Sequence, residues 1–461
     1  MASPPPGTTP LSIPKLRTDI NGQVIAPDDP EYDEARTVFP GGIDRRPAVI
    51  VRVADGADVS RVVDEARQTG LDLAIRGGGH SLFGVCDGGI VLDLSRLRGL
   101  DIDVQGRTAW AQAGLTAVEY SKAVAEHGLA TGFGDTGSVG IGGITLGGGV
   151  GYLVRRFGLT IDDLLAAEIV TADGELLQVD EENHPDLFWA LRGGGGNFGV
   201  VTRFRLRLHE LPTVVGGMLL LPATPEVIAS FIAEAEAAPE ELTTIANVMP
   251  APPMPFVPAE QHGRLSILAL MCYAGAGEDA ERALAPFRAL ATPIADMVQP
   301  IPYPAIYPPE DEIYHPVAAG RTLFVDAVDR GSADTIVEHI GRSSGMMAVA
   351  QLRVLGGAMA RVPDDATAFA HRGRRIMVNV AALYQSPDEA AVHEAWATEF
   401  ASALNNGAPG AYVNFLNEDG EARIREAYPE PTWSRLAAVK ARYDPTNLFR
   451  LNQNIPPATR G

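Results

Sequence analysis

Residues 71–94 read LDLAIRGGGHSLFGVCDGGIVLDL. An apolar, strand-like run at 71–75 leads straight into Arg76, Gly77, Gly78, Gly79, His80 and Ser81, and a second apolar run at 90–94 follows Gly88 and Gly89. Glycine tolerates positive φ and carries no Cβ, so such a loop can press its backbone against a ligand and aim N–H groups at it. His80 adds a nucleophilic imidazole at the edge. By itself, a histidine beside glycines is more often a turn residue. Glycine placement in the whole chain shifts that balance: 27 of the 49 glycines fall between Gly77 and Gly199, with bursts at Gly142-Gly143, Gly147 to Gly149 and Gly193 to Gly196. A loop-rich β domain without a ligand is the plain alternative.

Outward from this stretch the pattern alternates strand and helix. Residues 48–53 read as a strand, 59–68 as a helix closed by Gly70, 108–112 as a strand, and 116–126 as a helix capped by Thr116. Residues 165–171 and 175–179 flank Asp173-Gly174 and predict a β-hairpin. Residues 200–208 read as a strand. Past Leu211 the character changes. Five prolines fall at 250–258 and five more at 300–309, and runs at 265–271, 322–328, 348–354 and 376–383 predict an antiparallel sheet. Ser386 to Glu389 forms a capping box that opens a helix with Val392, Trp396, Phe400 and Leu404 on one face. The expected division is a lead-in over 1–39, a first domain over 40–211, a central α+β domain over 212–410, and a segment over 411–461 that returns to the first domain.

A chain of 461 residues exceeds one core. At 46% hydrophobic and 21% charged it is ordinary for a globular protein. Its net charge of −21 opposes phosphate backbones and anionic headgroups, so neither nucleic acid nor membrane is an expected partner. Cys86 and Cys272 are too few for a disulfide framework, and no secretory leader or membrane span is legible, so a cytoplasmic location is expected, as monomer or homodimer. Gly194, Gly196 and Gly199 satisfy G-x-G-x-x-G, but a helical stretch precedes them and a strand follows, the reverse of a dinucleotide fingerprint. The nine histidines form no H-x-H or H-x-x-x-H pair, so no metal site is expected.

The motif set resembles the flavin site of FAD-linked oxidases of the vanillyl-alcohol-oxidase superfamily, in its berberine-bridge-enzyme-like branch. Arg76 to Ser81, Gly88 to Leu94, Ser138 to Gly143, Leu146 to Gly151, Arg156 to Asp162, Asp186 to Gly193, Gly196 to Val201 and Tyr443 to Arg450 carry it. The resemblance implies an α+β fold: a two-lobed FAD-binding domain of that type, with a central antiparallel-sheet-plus-helices domain for substrate. It implies FAD contacts from Arg76, Gly77, Gly78, Gly79, His80, Ser81, Thr136, Val139, Gly140, Gly142, Gly143, Gly151, Gly199, Val201, Asn452 and Asn454. It also implies an 8α-histidyl bond from His80. Many relatives add a cysteinyl link, but Thr136 stands where that cysteine falls, so a single covalent bond is expected.

Taking hydride from a C–H bond also needs a base for an O–H or N–H proton. Plant-type relatives often use the second tyrosine of Y-x-N-Y. Here Tyr412-Val413-Asn414-Phe415 puts Phe415 at that place, leaving Tyr412 and Tyr152 as candidates and Asn379 as a residue over the ring. Val139 falls where a small residue leaves room for oxygen. The expected function is an oxidase of a small alcohol, amine, sugar or secondary metabolite, with O2 as second substrate. A flavin-bearing binding protein and a dehydrogenase with another electron acceptor are the competing readings.

Overall fold

The computed structural model describes residues 9–308, 314–407 and 409–459; Pro309, last of the second proline group, lies outside them. Among the described residues, two sheets of four and five strands and a larger one organise the fold, beside a short two-stranded pair of Leu129–Ala130 with His209–Glu210. The first has parallel strands Val49–Arg52, Ile90–Asp93 and Leu73–Arg76, with Ile90–Asp93 in the middle. Helix Gly56–Thr69 connects two of them; Asp55 caps its start, and Gly70, at φ 69°, closes it. The lead-in before residue 40 is part of this sheet. Its strand Gln23–Ile25 pairs antiparallel with Val49–Arg52 and completes the sheet.

The second sheet is antiparallel, in the order Leu100–Asp103, Thr108–Gln112, Val200–Arg207, Leu164–Val170, Leu176–Val179. Alternation along Val200–Arg207 sends Phe204 and Leu206 inward, while Arg203 pairs with Glu168 at 2.5 Å and covers the Trp110 ring. Thr116 and Glu119 form the capping box of helix Ala117–Ala125.

The third sheet is antiparallel and spans 214–384. Its long strands run Val214–Pro222, Leu265–Tyr273, Leu242–Pro250, Met347–Val354, Ile376–Tyr384, Val317–Val325. One face buries Leu323, Val378, Val380, Ala350 and Leu352 against helices Pro225–Ala237, Glu278–Ala289, Arg330–Arg342 and Ala390–Leu404. In the last of these Phe400 and Leu404 are inward as expected, but Val392 is 61% exposed; His393 and Ala397 take the buried stripe. The opposite face turns to the first two sheets: Phe324 and Met377 join Val150, Val154, Leu159 and Tyr412 in one apolar cluster.

Candidate active site

Four stretches, 73–84, 134–150, 195–201 and 412–453, chiefly enclose a cavity of about 400 Å³. The strand Leu73–Arg76 ends at Arg76, whose guanidinium donates to Asp93 Oδ2 at 2.7 Å on the neighbouring parallel strand. Burial pushes the Asp93 carboxyl up, but Arg76 and Ser95 outweigh it and hold the carboxyl below its ordinary value. Arg76 is thus an anchor for the loop that follows. That loop crosses the 137–140 turn backbone to backbone: a Cβ on Gly78 would lie 2.2 Å from Gly140 N, and one on Gly140 would lie 2.3 Å from Gly78 N. Gly79 turns the chain at φ 76°, which delivers His80 to the cavity. The imidazole stacks on Phe39 at 4.3 Å and its Nε2 lies 2.8 Å from Ser138 Oγ.

The C-terminal segment closes the far side. Lys440 Nζ, fully buried, donates to Asn197 O, Asp444 Oδ2 and Phe449 O at 2.7, 2.7 and 2.9 Å. Burial lowers this ammonium's pKa, with Asp444 opposing the shift. Asn452 donates to Gly196 O, and Asn197 Oδ1 accepts from Ile455 N. Two observations test whether these walls fit FAD. A Cβ added at Gly143 or Gly196 would meet nothing within 4 Å, so bare backbone faces open space at both. The Oδ1 atom of Asn452, on the wall, is buried without a hydrogen-bond partner. A long ligand rich in O–H and N–H groups suits both, and the residues present fit the cofactor.

Of the expected contacts, Arg76 to Ser81, Thr136, Val139, Gly140, Gly142, Gly143, Gly199, Val201 and Asn452 line the cavity. Gly151 does not: it packs on Phe133 O, where a Cβ would stand at 1.5 Å. Asn454 also falls outside the lining, with Gln453 in its place. Tyr412 is on the wall, and its hydroxyl accepts from Gly149 N, Val150 N and Asn414 Nδ2 at 3.1, 3.2 and 3.0 Å. Burial raises its pKa above the ordinary value, and the three donors offset part of that. Tyr152 is turned away. Its hydroxyl donates to Asp135 O at 3.4 Å, its ring packs on Tyr307, and burial carries its pKa well above 10; a single residue, Gly151, separates the wall position Val150 from this core tyrosine. Asn379 sits outside the cavity lining, on the sheet face that looks toward it.

Residues missed from the sequence include Asp135 and Arg353, an ion pair at 2.7 Å whose arginine covers the Phe415 ring. They lie 218 positions apart, and no local pattern announces the pair. Cys86 is a packed thiol as expected; burial pushes it up to about 11.

Comparisons with known proteins agree with this geometry. The FAD binding domain profile matches residues 47–180, and the profile described as berberine and berberine like matches 411–456. (R)-6-hydroxynicotine oxidase of Paenarthrobacter nicotinovorans is 31% identical over 97% of this chain and 98% of its own. The chain belongs to this family of FAD-linked oxidoreductases. A solved structure of the family, 6-hydroxy-D-nicotine oxidase from Arthrobacter nicotinovorans, superposes with TM-score 0.84 at 28% identity, covering 95% of this chain and 98% of that one. The xylooligosaccharide oxidase of Myceliophthora thermophila shares the fold at TM-score 0.84 and 24% identity, over 98% and 100% of the two chains. No helix among the described residues is long and apolar enough to cross a membrane.

Proposed function

We propose that this chain is an FAD-dependent oxidase of a small molecule, an alcohol, amine, sugar or secondary metabolite, that holds FAD through one bond from His80 and passes electrons to O2 to give H2O2. The observation that carries the reading is His80 itself, delivered to the cavity wall by a bare glycine loop and fixed in orientation between Phe39 and Ser138. Bound FAD supplies the acceptor for a hydride from a substrate C–H bond. The chain's part is to hold and orient. Gly78 and Gly140 lock the two loops that flank His80 and Val139, and the Lys440–Asp444 pair fixes the wall formed by Phe449, Asn452 and Gln453. Thr136 offers a hydroxyl where a second link would need a thiol, and Cys86 and Cys272 are both buried, which supports a single bond. Tyr412 Oη is the group we assign to accept the substrate's O–H or N–H proton: it is on the wall, and three N–H donors offset part of the burial that raises its pKa. Val139, also on the wall, is small enough to leave space for oxygen.

The test is to denature the protein, wash it in acid, and look for flavin absorbance on the polypeptide, with His80→Ala beside it. Flavin that stays with wild type and leaves the variant is expected. Flavin lost from both removes the covalent bond, and a reduced wild-type flavin that air leaves reduced removes the oxidase.

A further inference from the structure

On the sheet face turned toward the FAD cavity, four polar residues stand directly opposite one another across neighbouring strands: Thr322 faces Asn379, Asn379 faces Gln351, and Gln351 faces Asn247. Directly paired residues share a face, and their strands lie about 4.8 Å apart, so this is a continuous row of hydrogen-bonding groups. The row is one step from the cavity. Two positions along the strands, Met377 and Phe324 pack with the wall residue Tyr412, and Arg353 reaches Asp135. In the other direction the same face opens, since Ala381, Val349 and Gly320 are all half-buried while Val378, Val380 and Ala350 beneath them are buried.

One half of the row is already satisfied. Gln351 Nε2 donates to Asn247 Oδ1 at 2.9 Å, Asn247 donates to Leu268 O, and Gln351 Oε1 accepts from Arg353 at 2.6 Å. The other half is not. Thr322 Oγ1 is buried with no partner, in a residue 1% exposed, and the Asn379 carboxamide opposite it is only half-buried, open to a further group. A polar group left so is costly unless something else meets it. An amide both donates and accepts, as a hydroxyl does, and it cannot act as a base at neutral pH.

The charges beside the row point the same way. Asp135 is the one carboxylate among the described residues that line the cavity, and Arg353, with its side chain 5% exposed, already takes it up. A cationic amine in the cavity would find no unpaired carboxylate on its described wall, and would meet the guanidinium in a medium where charge is poorly screened. We propose that the row Thr322–Asn379–Gln351–Asn247 is the specificity strip of the substrate site, with Asn379 its central reader, and that it selects an uncharged, hydroxyl-bearing substrate over a cationic amine. This rests on the oxidase reading above and narrows its substrate class.

The test uses FAD-loaded full-length protein and anaerobic flavin bleaching. One set of probes is neutral (glucose, xylobiose, benzyl alcohol) and the other cationic (benzylamine, 6-hydroxynicotine). Wild type is expected to respond to members of the neutral set and not to the cationic set. Asn379→Leu should raise the apparent Kd for the responding compound about tenfold while the limiting rate stays within a few-fold, as loss of a neutral hydrogen bond demands. Asn379→Asp, which adds an unpaired carboxylate, should gain a response to the amines, a gain that a merely structural residue would not give. Cationic probes bleaching wild type as well as neutral ones, no neutral probe acting at all, or an unchanged Kd in Asn379→Leu would each overturn the proposal. The oxidase reading is checked in the same cuvette: dithionite-reduced wild type should be reoxidised by air with peroxide release whatever the probes do.

Discussion

Replacing Gly78 with alanine tests the architecture of the flavin loop most directly. Neither Gly78 nor its partner Gly140 has positive φ, Gly140 sitting at φ −66°, so an alanine would suffer no backbone strain at either position. What it suffers is contact. The new Cβ would lie 2.2 Å from Gly140 N and 2.7 Å from Gly140 Cα, against an ordinary separation of about 3.5–4.0 Å, so the loops must part by about 1 Å or more. The opposing atoms are backbone and cannot rotate aside. Overpacking of this kind costs roughly 1–3 kcal/mol, and the upper end applies here. For a chain this long, melting as one unit, that is about 3 °C in Tm. Gly140→Ala should match it, and the double variant should cost clearly less than the two together, because the first alanine has already separated the loops. Gly143→Ala is the internal control: its Cβ meets no protein atom within 4 Å, so it should leave apoprotein Tm unchanged while lowering flavin content. Tm by scanning fluorimetry and flavin per polypeptide by absorbance read all four variants. Gly78→Ala with wild-type Tm and full flavin would refute the claim that close backbone approach shapes this wall.

Three further outcomes are expected. His371 is wedged against Phe324 and Phe369, and burial, with Arg374 adding to it, lowers its pKa to about 4. The unfolded chain then binds the extra proton first, so stability is complete above pH 6.5 and falls by roughly 3 kcal/mol as pH drops to 4; His371→Gln should lose that portion of the acid sensitivity in chemical unfolding, and identical pH slopes would count against it. Lys440→Met strands Asp444 in the interior and should cost about 3 kcal/mol, with flavin lost as Phe449 and Asn452 loosen, seen in Tm and flavin content together. Tyr412→Phe should lower the rate of flavin reduction about 100-fold. Since the Tyr412 hydroxyl titrates above its ordinary value of 10, wild-type kcat/KM should climb with pH to at least 10, and the variant profile should be flat.

How much of this was legible in the sequence depended on how local the cause was. The strand, triple glycine and His80 are contiguous, and the caps at Thr116 and Gly70 and the hairpin at Asp173-Gly174 are set by neighbours, so all can be read along the chain. The strand Leu242–Pro250 escaped notice because eight of its residues are buried on both faces, which erases the alternation that marks a strand. Val214–Pro222 was hidden by Gly216 and Gly217, which interrupt its apolar run. Tyr152 was drawn to the flavin by its position after the glycine cluster, yet side-chain direction, not proximity, decides exposure, and the wall ends at Val150. Asp135 and Arg353 lie 218 positions apart, and only the tertiary fold brings them together.

The way the cavity is shared along the chain sets an order of events in the cell. His80 and its glycine loop leave the ribosome early, but Asn452 and Gln453, on the opposite wall, are translated more than 350 residues later. A nascent chain that has folded only its first sheet therefore presents half a groove. Cofactor capture, and any bond made through His80, must wait until translation is nearly complete, so removing residues 440–455 should give a polypeptide with an intact His80 and no yellow colour.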